Sequence, residues 1–154
     1  MTRMPKTGVH NVSIVIPTLN AAPYLGPLLR RIGEQKGPFA TEVVIVDSSS
    51  DDATREIATA FSFVKCIDIP RHAFTHGYGR NFGVAHAKGD LVCFLSQDAY
   101  PADANWLQAL LAPLIDDPQV GGTFSRQLPR NNATPMEKFF LCSCFPAEGP
   151  HVRR

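Results

Sequence analysis

The sequence predicts an α/β fold in which a mostly parallel sheet carries helices on both faces, and three observations lead there. Short β-branched runs alternate along the chain with segments of helical periodicity. The runs are apolar throughout, as strands covered on two sides must be. Polar clusters follow the runs at their carboxyl ends, where open sheets of this class collect ligands.

The elements follow in order. Val12 to Ile16 forms the first strand, and Pro17-Thr18-Leu19-Asn20 reads as its exit turn. Tyr24, Leu25, Leu28, Leu29 and Ile32 repeat at helical spacing, with Pro23 in the first turn and Gly33 and Gly37 as stops. Val43 to Val46 makes a second buried strand that ends in the polar run from Asp47 to Asp52, before a helix marked by Ile57, Ala58 and Phe61. Val64 to Ile69 is a third strand, stopped by Pro70. After a loop rich in His and Gly, the spacing predicts a short helix over Asn81 to Ala87, closed by Gly89, and a fourth strand over Leu91 to Leu95. Ser96-Gln97-Asp98-Ala99 follows, then a helix around Trp106 to Leu114, a fifth strand near Val120 to Phe124, and a last helix over Pro135 to Cys144.

This gives one domain over residues 11–146, with a disordered tail at 1–10 and a second tail at 147–154. There is no internal repeat and no low-complexity tract. Phe139, Phe140, Leu141 and Phe145 crowd near the end, a pattern expected where further chain covers them.

Composition narrows the function. A chain of 154 residues with 44% hydrophobic and 19% charged residues belongs to the soluble globular class. Fifteen Lys and Arg against fourteen Asp and Glu create no basic field for nucleic acid or anionic lipid, so any anion must be gripped locally. Arg3 and Lys6 precede no apolar stretch, and the apolar runs are strand-sized, so neither a signal peptide nor a transmembrane segment is expected and the reading is cytoplasmic. Of the four cysteines, Cys66 and Cys93 lie inside strand runs, and Cys142 and Cys144 form an isolated pair without the second ligand set of a zinc site. Buried free thiols are expected.

Ser50, Asp51, Asp52 and Asn105 suit helix caps. Asp47 differs, because a carboxylate that ends an apolar strand is costly unless it is hydrogen-bonded or faces a ligand. Gly77-Tyr78-Gly79-Arg80-Asn81-Phe82-Gly83 approaches a dinucleotide fingerprint, but its last glycine is one residue late and it follows the third strand. No phosphate-binding Gly-Lys-Ser/Thr loop exists. Arg80 reads either as a cation at a helix start, a seat for a diphosphate, or as a solvated surface charge. His72 and His76 share helical spacing, yet Pro70 and the neighbouring glycines disfavour a helix that would make them metal ligands.

Three segments in order, Val12-Ser13-Ile14-Val15-Ile16-Pro17-Thr18-Leu19-Asn20, Val44-Ile45-Val46-Asp47-Ser48-Ser49-Ser50-Asp51 and Phe94-Leu95-Ser96-Gln97-Asp98-Ala99, resemble the successive signatures of family 2 glycosyltransferases. His76-Gly77, Arg80-Asn81-Phe82-Gly83 and Ser125-Arg126-Gln127-Leu128-Pro129 are similar to its rhamnosyltransferase-like branch, so the resemblance spans about Val12 to Pro146.

The resemblance implies a GT-A fold that binds a nucleoside-diphosphate sugar with Mg²⁺ or Mn²⁺ and transfers the sugar, rhamnose among the candidates, to a carbohydrate or lipid-linked hydroxyl with inversion. Pro17, Thr18, Asn20, Asp47 and Ser49 would then bind the nucleoside side of the donor, Arg80 and Asn81 the diphosphate or its loop, and Gln97 the ribose or sugar. The family's Asp-x-Asp metal motif aligns with Ser96-Gln97-Asp98, leaving Asp98 as the metal ligand. The catalytic base is expected beyond the chain end; Glu137 reads instead as a helix-start residue and Glu148 as terminal loop. The resemblance also implies work in the cytoplasm at the inner face of the membrane, without a membrane span. The alternatives are a non-catalytic module that keeps only the donor site, and a flavodoxin-like nucleotide-binding fold unrelated to sugars.

Overall fold

The computed structural model describes residues 10–145. The tail expected at 147–154 lies outside them, as does the tail expected at 1–10 except for its last residue. His10 is buried as the first residue of β1 and pairs with Phe39.

Four parallel strands, β1 (His10–Thr18), β2 (Phe39–Asp47), β3 (Val64–Asp68) and β4 (Leu91–Phe94), lie side by side in the order β3-β2-β1-β4. Helices α1 (Ala22–Gly33), α2 (Thr54–Thr59), α3 (His76–His86), α4 (Trp106–Asp116) and α5 (Pro135–Cys144) and a 3₁₀ turn at Arg71–Ala73 complete the regular structure among the described residues. Strand side chains alternate between faces, and each face has its own core. Val12, Ile14, Ile16, Val43 and Ile45 meet Leu25, Leu28, Leu29 and Ile32 of α1, Ala58 of α2 and Leu107 and Leu111 of α4. Val15, Val44, Val46 and Ile69 meet Phe74 and, from α3, Phe82 on the other. The outer strands are only half covered: Val92 and Phe94 of β4 are exposed.

Several expectations need correction. The third helix begins at His76, not Asn81, because Thr75 caps it by accepting from Tyr78 N at 3.0 Å, and Gly79 and Gly83 within it are packing positions. In keeping with the break expected at Pro70, His72 lies in the 3₁₀ turn and His76 in α3, so the two do not share a helix face. No fifth strand forms at Val120 to Phe124. Gly121 and Gly122 interrupt that run with a high conformational-entropy cost, and its anchors are a turn, Val120 N to Asp117 O at 3.1 Å, and Thr123 Oγ1 donating to Leu110 O at 2.7 Å. All four cysteines are free, but Cys142 and Cys144 are exposed, whereas burial pushes the Cys66 and Cys93 thiols up to about 11. Asn105 occupies the N-cap position of α4 without a capping side-chain bond.

At the amino end of the sheet a polar cluster ties three elements together. Ser13 Oγ donates to Glu42 Oε1 at 2.6 Å, Lys88 N donates to the same oxygen at 2.6 Å, and Gly89 N donates to Ser13 Oγ at 2.8 Å. Burial pushes the Glu42 carboxyl up, but these hydrogen bonds and the charges of Lys88 and Lys65 outweigh it, holding the group below the ordinary glutamate range. A lowered folded-state value means the contribution is complete above the unfolded value and disappears as pH falls through the folded one. Wild type is therefore expected to lose urea stability between about pH 5 and pH 3 more steeply than Glu42→Gln. Parallel curves for the two proteins would deny the cluster that role.

Candidate functional site at the carboxyl rim of the sheet

The strand order reverses direction between β1 and β4. In open parallel sheets such a switch point opens a crevice beyond the carboxyl ends, because the connections on its two sides leave in opposite directions. Here β4 departs early: Phe94 pairs with Val15, and Leu95 N gives the last bond, 3.1 Å to Val15 O, while β1 continues to Thr18. Since alternate residues of a strand point their backbone groups the same way, Pro17 faces the side β4 has vacated, and its missing N–H leaves no donor orphaned.

The exits of β1 and β2 are knitted together by side chains. Thr18 Oγ1 donates to Asp47 Oδ1 at 2.9 Å, and Ser50 supplies two more donors to the same carboxylate, Oγ to Oδ1 at 2.6 Å and N to Oδ2 at 2.9 Å. Asp47 is fully buried, so its carboxylate organises the loop from within; the sequence had left hydrogen bonding and ligand contact equally open. Asn20 N donates to Ser50 Oγ and Asp51 N to Asn20 Oδ1, at 2.9 and 3.0 Å. Asn20 and Ser49 both adopt left-handed backbone, φ 50° and 60°, a conformation Asn tolerates better than Ser.

The start of α1 is also closed from the β2 loop. Ala21 N donates to Thr54 Oγ1 at 2.7 Å and Ala22 N to Asp52 Oδ2 at 3.0 Å. Asp52 thus places a carboxylate at the positive end of α1. Burial raises its carboxyl, but hydrogen bonds from the Thr54 side chain and from the backbone of Ala22 and Thr54 hold it below the ordinary range. The expected capping role of Ser50, Asp51 and Asp52 holds for Asp52, which accepts from Thr54 N at the start of the adjacent α2 and from Ala22 N at the start of α1; Ser50 and Asp51 serve the loop.

Gln97 joins the third loop to this pair. Its Oε1 accepts from Leu19 N at 2.9 Å and its Nε2 donates to Leu19 O at 3.2 Å, so both ends of the amide engage one backbone residue. The resemblance gave Gln97 to the ribose or sugar; in the structure its amide clasps the β1 and β4 exits together. Next to it Asp98 is exposed and faces Arg130, whose Nη2 donates to Asp98 O and lies 3.8 Å from Asp98 Oδ2. The Arg130 guanidinium also stands over the rings of Tyr24 and Tyr100, 5.9 and 5.7 Å from their centroids.

Arg80 reaches the same rim from α3, its guanidinium 5.9 Å from the Phe94 ring at the end of β4. It lies in the second turn of α3 and not at the helix start, so the argument that it adds its charge to free helix N–H groups does not hold. Asn81 is exposed beside it. Ser49 turns its hydroxyl away from the crevice to Ile69 O, at 3.0 Å.

The rim therefore assembles Pro17, Thr18, Asn20, Asp47, Gln97 and Asp98 through consecutive contacts, with Arg80 at its β4 end. Two arginines were absent from the sequence list. Arg71 braces the β2 loop through Ser49 O at 2.8 Å and Asp51 Oδ1 at 2.7 Å, and its hydrogen bond is the main cause that lowers the Asp51 carboxyl. Arg130 is the other. Both are single loop arginines, which periodicity does not single out; only their position after Pro70 and after the Ser125–Pro129 segment was a signal.

Glu137 is occupied elsewhere. Its carboxylate closes a capping box at the start of α5, accepting from Thr134 N at 2.7 Å, as its helix-start reading required. Glu148 lies outside the described residues.

Comparison with known proteins agrees with this architecture. Residues 13–153 match Glycosyl transferase family 2. The chain is 31% identical over 126 residues to the O-antigen chain rhamnosyltransferase RfbN of Salmonella typhimurium, covering 81% of this chain and 40% of that protein. It is 34% identical over 125 residues to WbaN of Salmonella anatum, another O-antigen chain rhamnosyltransferase, covering 80% and 39%. It thus spans about two-fifths of the length of these relatives. Among solved structures, the mannosyltransferase PcManGT from Pyrobaculum calidifontis, in complex with GDP-Man and Mn²⁺, superposes with TM-score 0.65 at 25% identity over 88% of this chain and 39% of that one. S. aureus TarS 1–349 in complex with UDP-GlcNAc gives 0.63 at 26% identity over 78% and 37%. The fold is GT-A, and the chain belongs to glycosyl transferase family 2.

Proposed function

We propose that this chain forms the donor-binding part of a glycosyltransferase that moves a sugar from a nucleoside diphosphate to an acceptor hydroxyl with inversion, rhamnose being the candidate sugar. The observation that carries the proposal is the rim itself: the exits of β1, β2 and β4 are clasped around one switch-point crevice that ends in an exposed carboxylate, Asp98. Likeness to two O-antigen chain rhamnosyltransferases supports the sugar and a carbohydrate or lipid-linked acceptor. Action in the cytoplasm at the inner face of the membrane is part of the same proposal. No helix among the described residues is long and apolar enough to cross a membrane.

Asn20 and the backbone of the β1 and β2 exits are proposed to take the nucleoside, with Pro17, Thr18, Asp47 and Ser49 fixing their shape. Arg80, with Asn81 beside it, is proposed to face the diphosphate. Asp98 is the proposed ligand for Mg²⁺ or Mn²⁺. Among the described residues no three His, Cys, Asp or Glu side chains converge. The donor set therefore fits an ion completed by diphosphate oxygens and water, as hard divalent cations accept, and does not fit one caged by protein alone. When bound, the cation neutralises charge gathering on the departing diphosphate. Gln97 holds the Asp98 loop against Leu19, so the carboxylate is positioned before the donor arrives. None of the described residues is assigned as the base for the acceptor proton.

A non-catalytic donor-binding module is the second reading, favoured by Ser96 standing where the family's motif has its first carboxylate. Calorimetric titration with dTDP-rhamnose, UDP and GDP, with and without Mn²⁺, while following donor hydrolysis, separates the two: turnover supports the enzyme, binding alone the module, and no binding removes both. Asp98→Ala is expected to erase the Mn²⁺-dependent part of the affinity, about tenfold or more, with unchanged thermal unfolding. Equal Mn²⁺ dependence in the variant would remove Asp98 from the site.

A further inference from the structure

We propose that Arg130 is a diphosphate-binding residue of the donor site and supplies the positive charge that a second motif carboxylate would otherwise have recruited as metal. The inference rests on the donor-site reading above. Three observations carry it.

The guanidinium stands directly beside Asp98, the exposed carboxylate of the crevice, through one nitrogen only. Nη2 makes both contacts, to the Asp98 carbonyl and toward its carboxylate, whereas Nε and Nη1 have no hydrogen-bond partner among the described residues. A planar group with an unused edge is suited to a phosphate, which accepts paired N–H donors.

The group is also held in place. Tyr24 and Tyr100 present their rings to it, and Tyr100 Oη bonds to Tyr24 O at 3.4 Å, so the two rings belong to one assembly. Aromatic stacking restrains the long side chain and reduces the entropy lost when it grips an anion, a cost that weakens most exposed arginine contacts.

Charge balance gives the third argument. With Ser96 at the first carboxylate position, Asp98 is the one carboxylate of the motif, and a cation held by one carboxylate is bound weakly until the substrate's own oxygens join it. A fixed guanidinium at the same spot offsets part of the diphosphate charge without metal. Asp98 thus faces Arg130 here, and the same carboxylate is the one that would hold the divalent ion.

The test is titration of the full chain with UDP, UMP and inorganic diphosphate, in EDTA and in Mn²⁺, for wild type, Arg130→Gln, Arg130→Lys and Arg31→Ala. Arg31 serves as the control because it stands over the same Tyr100 ring, at 5.6 Å, but bonds to Pro101 O. In EDTA, Arg130→Gln is expected to weaken UDP and inorganic diphosphate by about tenfold or more and UMP far less. Arg130→Lys should recover only part of the loss, because an ammonium lacks the paired edge. The affinity gain from Mn²⁺ should be larger in Arg130→Gln than in wild type, since metal then carries more of the charge. Circular dichroism shows whether each variant is folded, and if Arg130→Gln is not, the Lys variant's selective loss on diphosphates decides. Equal UDP affinity in wild type and Arg130→Gln, or an equal loss in Arg31→Ala, overturns the Arg130 assignment alone. Failure of wild type to bind any nucleoside diphosphate overturns it together with the donor-site reading.

Discussion

Asp47→Ala is expected to cost about 3 kcal/mol of folding stability and to remove nucleoside-diphosphate binding with it. The carboxylate accepts from Thr18 Oγ1, Ser50 Oγ and Ser50 N while fully buried. Truncation leaves those donors facing an apolar gap, and each unsatisfied buried donor costs about 1–3 kcal/mol, reduced where a hydroxyl can rotate to another acceptor. Asp47→Asn tests the same geometry more finely. An amide can keep its oxygen toward Thr18 and the Ser50 hydroxyl, but its NH₂ then meets the Ser50 N–H, donor against donor, so a loss of about 1–2 kcal/mol is expected. Because the side chain shows no surface to the crevice, affinity for UDP should fall in step with loop stability across the two variants. Urea unfolding and calorimetry on the same samples provide the check. A variant that keeps full stability yet loses binding would mean that Asp47 reaches the nucleoside itself, and an Asp47→Ala protein as stable as wild type would refute the buried-anchor role.

Most of the scaffold was legible because it depends on local periodicity. The β-branched runs at Val12 to Ile16 and Val43 to Val46 became the two central strands, and Pro135 to Cys144 became a helix with the bounds its pattern suggested. Misreadings arose where distant contacts decide. Gly77 and Gly79 look like helix breakers, but Thr75 caps α3 ahead of them, and Gly79 lies against Phe74 and Pro17. The run at Val120 to Phe124 has Val, Thr and Phe but also Gly121 and Gly122, and it joins no strand of the sheet; pairing makes a strand. At the site, the segments that carry Thr18, Asp47 and Asp98 were visible as polar clusters after strands. The clasp of Gln97 on Leu19 joins residues 78 positions apart, and the Arg130 cage draws on α1, the loop after β4 and the segment after α4. No window along the chain contains those contacts.

Gly83→Ala is expected to destabilise the fold by about 2 kcal/mol, although alanine is the better helix former by about 1 kcal/mol. The two effects oppose each other, and distance decides between them. A Cβ at position 83 would lie 2.3 Å from Val15 Cγ1 and 3.1 Å from Val46 Cγ2. Both valines are fully buried in the central strands, so neither can yield without moving β1 or β2. Helix α3 must lift from the sheet instead, and overpacking of this kind costs about 1–3 kcal/mol beyond any propensity gain. The same helix supplies the control: a Cβ at Gly77 meets nothing within 4 Å, so Gly77→Ala should gain up to about 1 kcal/mol from propensity alone. Opposite signs for one substitution, two turns apart, separate close approach from a generic effect of glycine. Lifting α3 also withdraws Arg80 from Phe94 at the crevice, so Gly83→Ala should weaken UDP more than UMP, while Gly77→Ala leaves that ratio near wild type. Urea unfolding of the three proteins measures the first claim; a Gly83→Ala protein as stable as wild type would show that α3 does not rest on β1 and β2 at this distance.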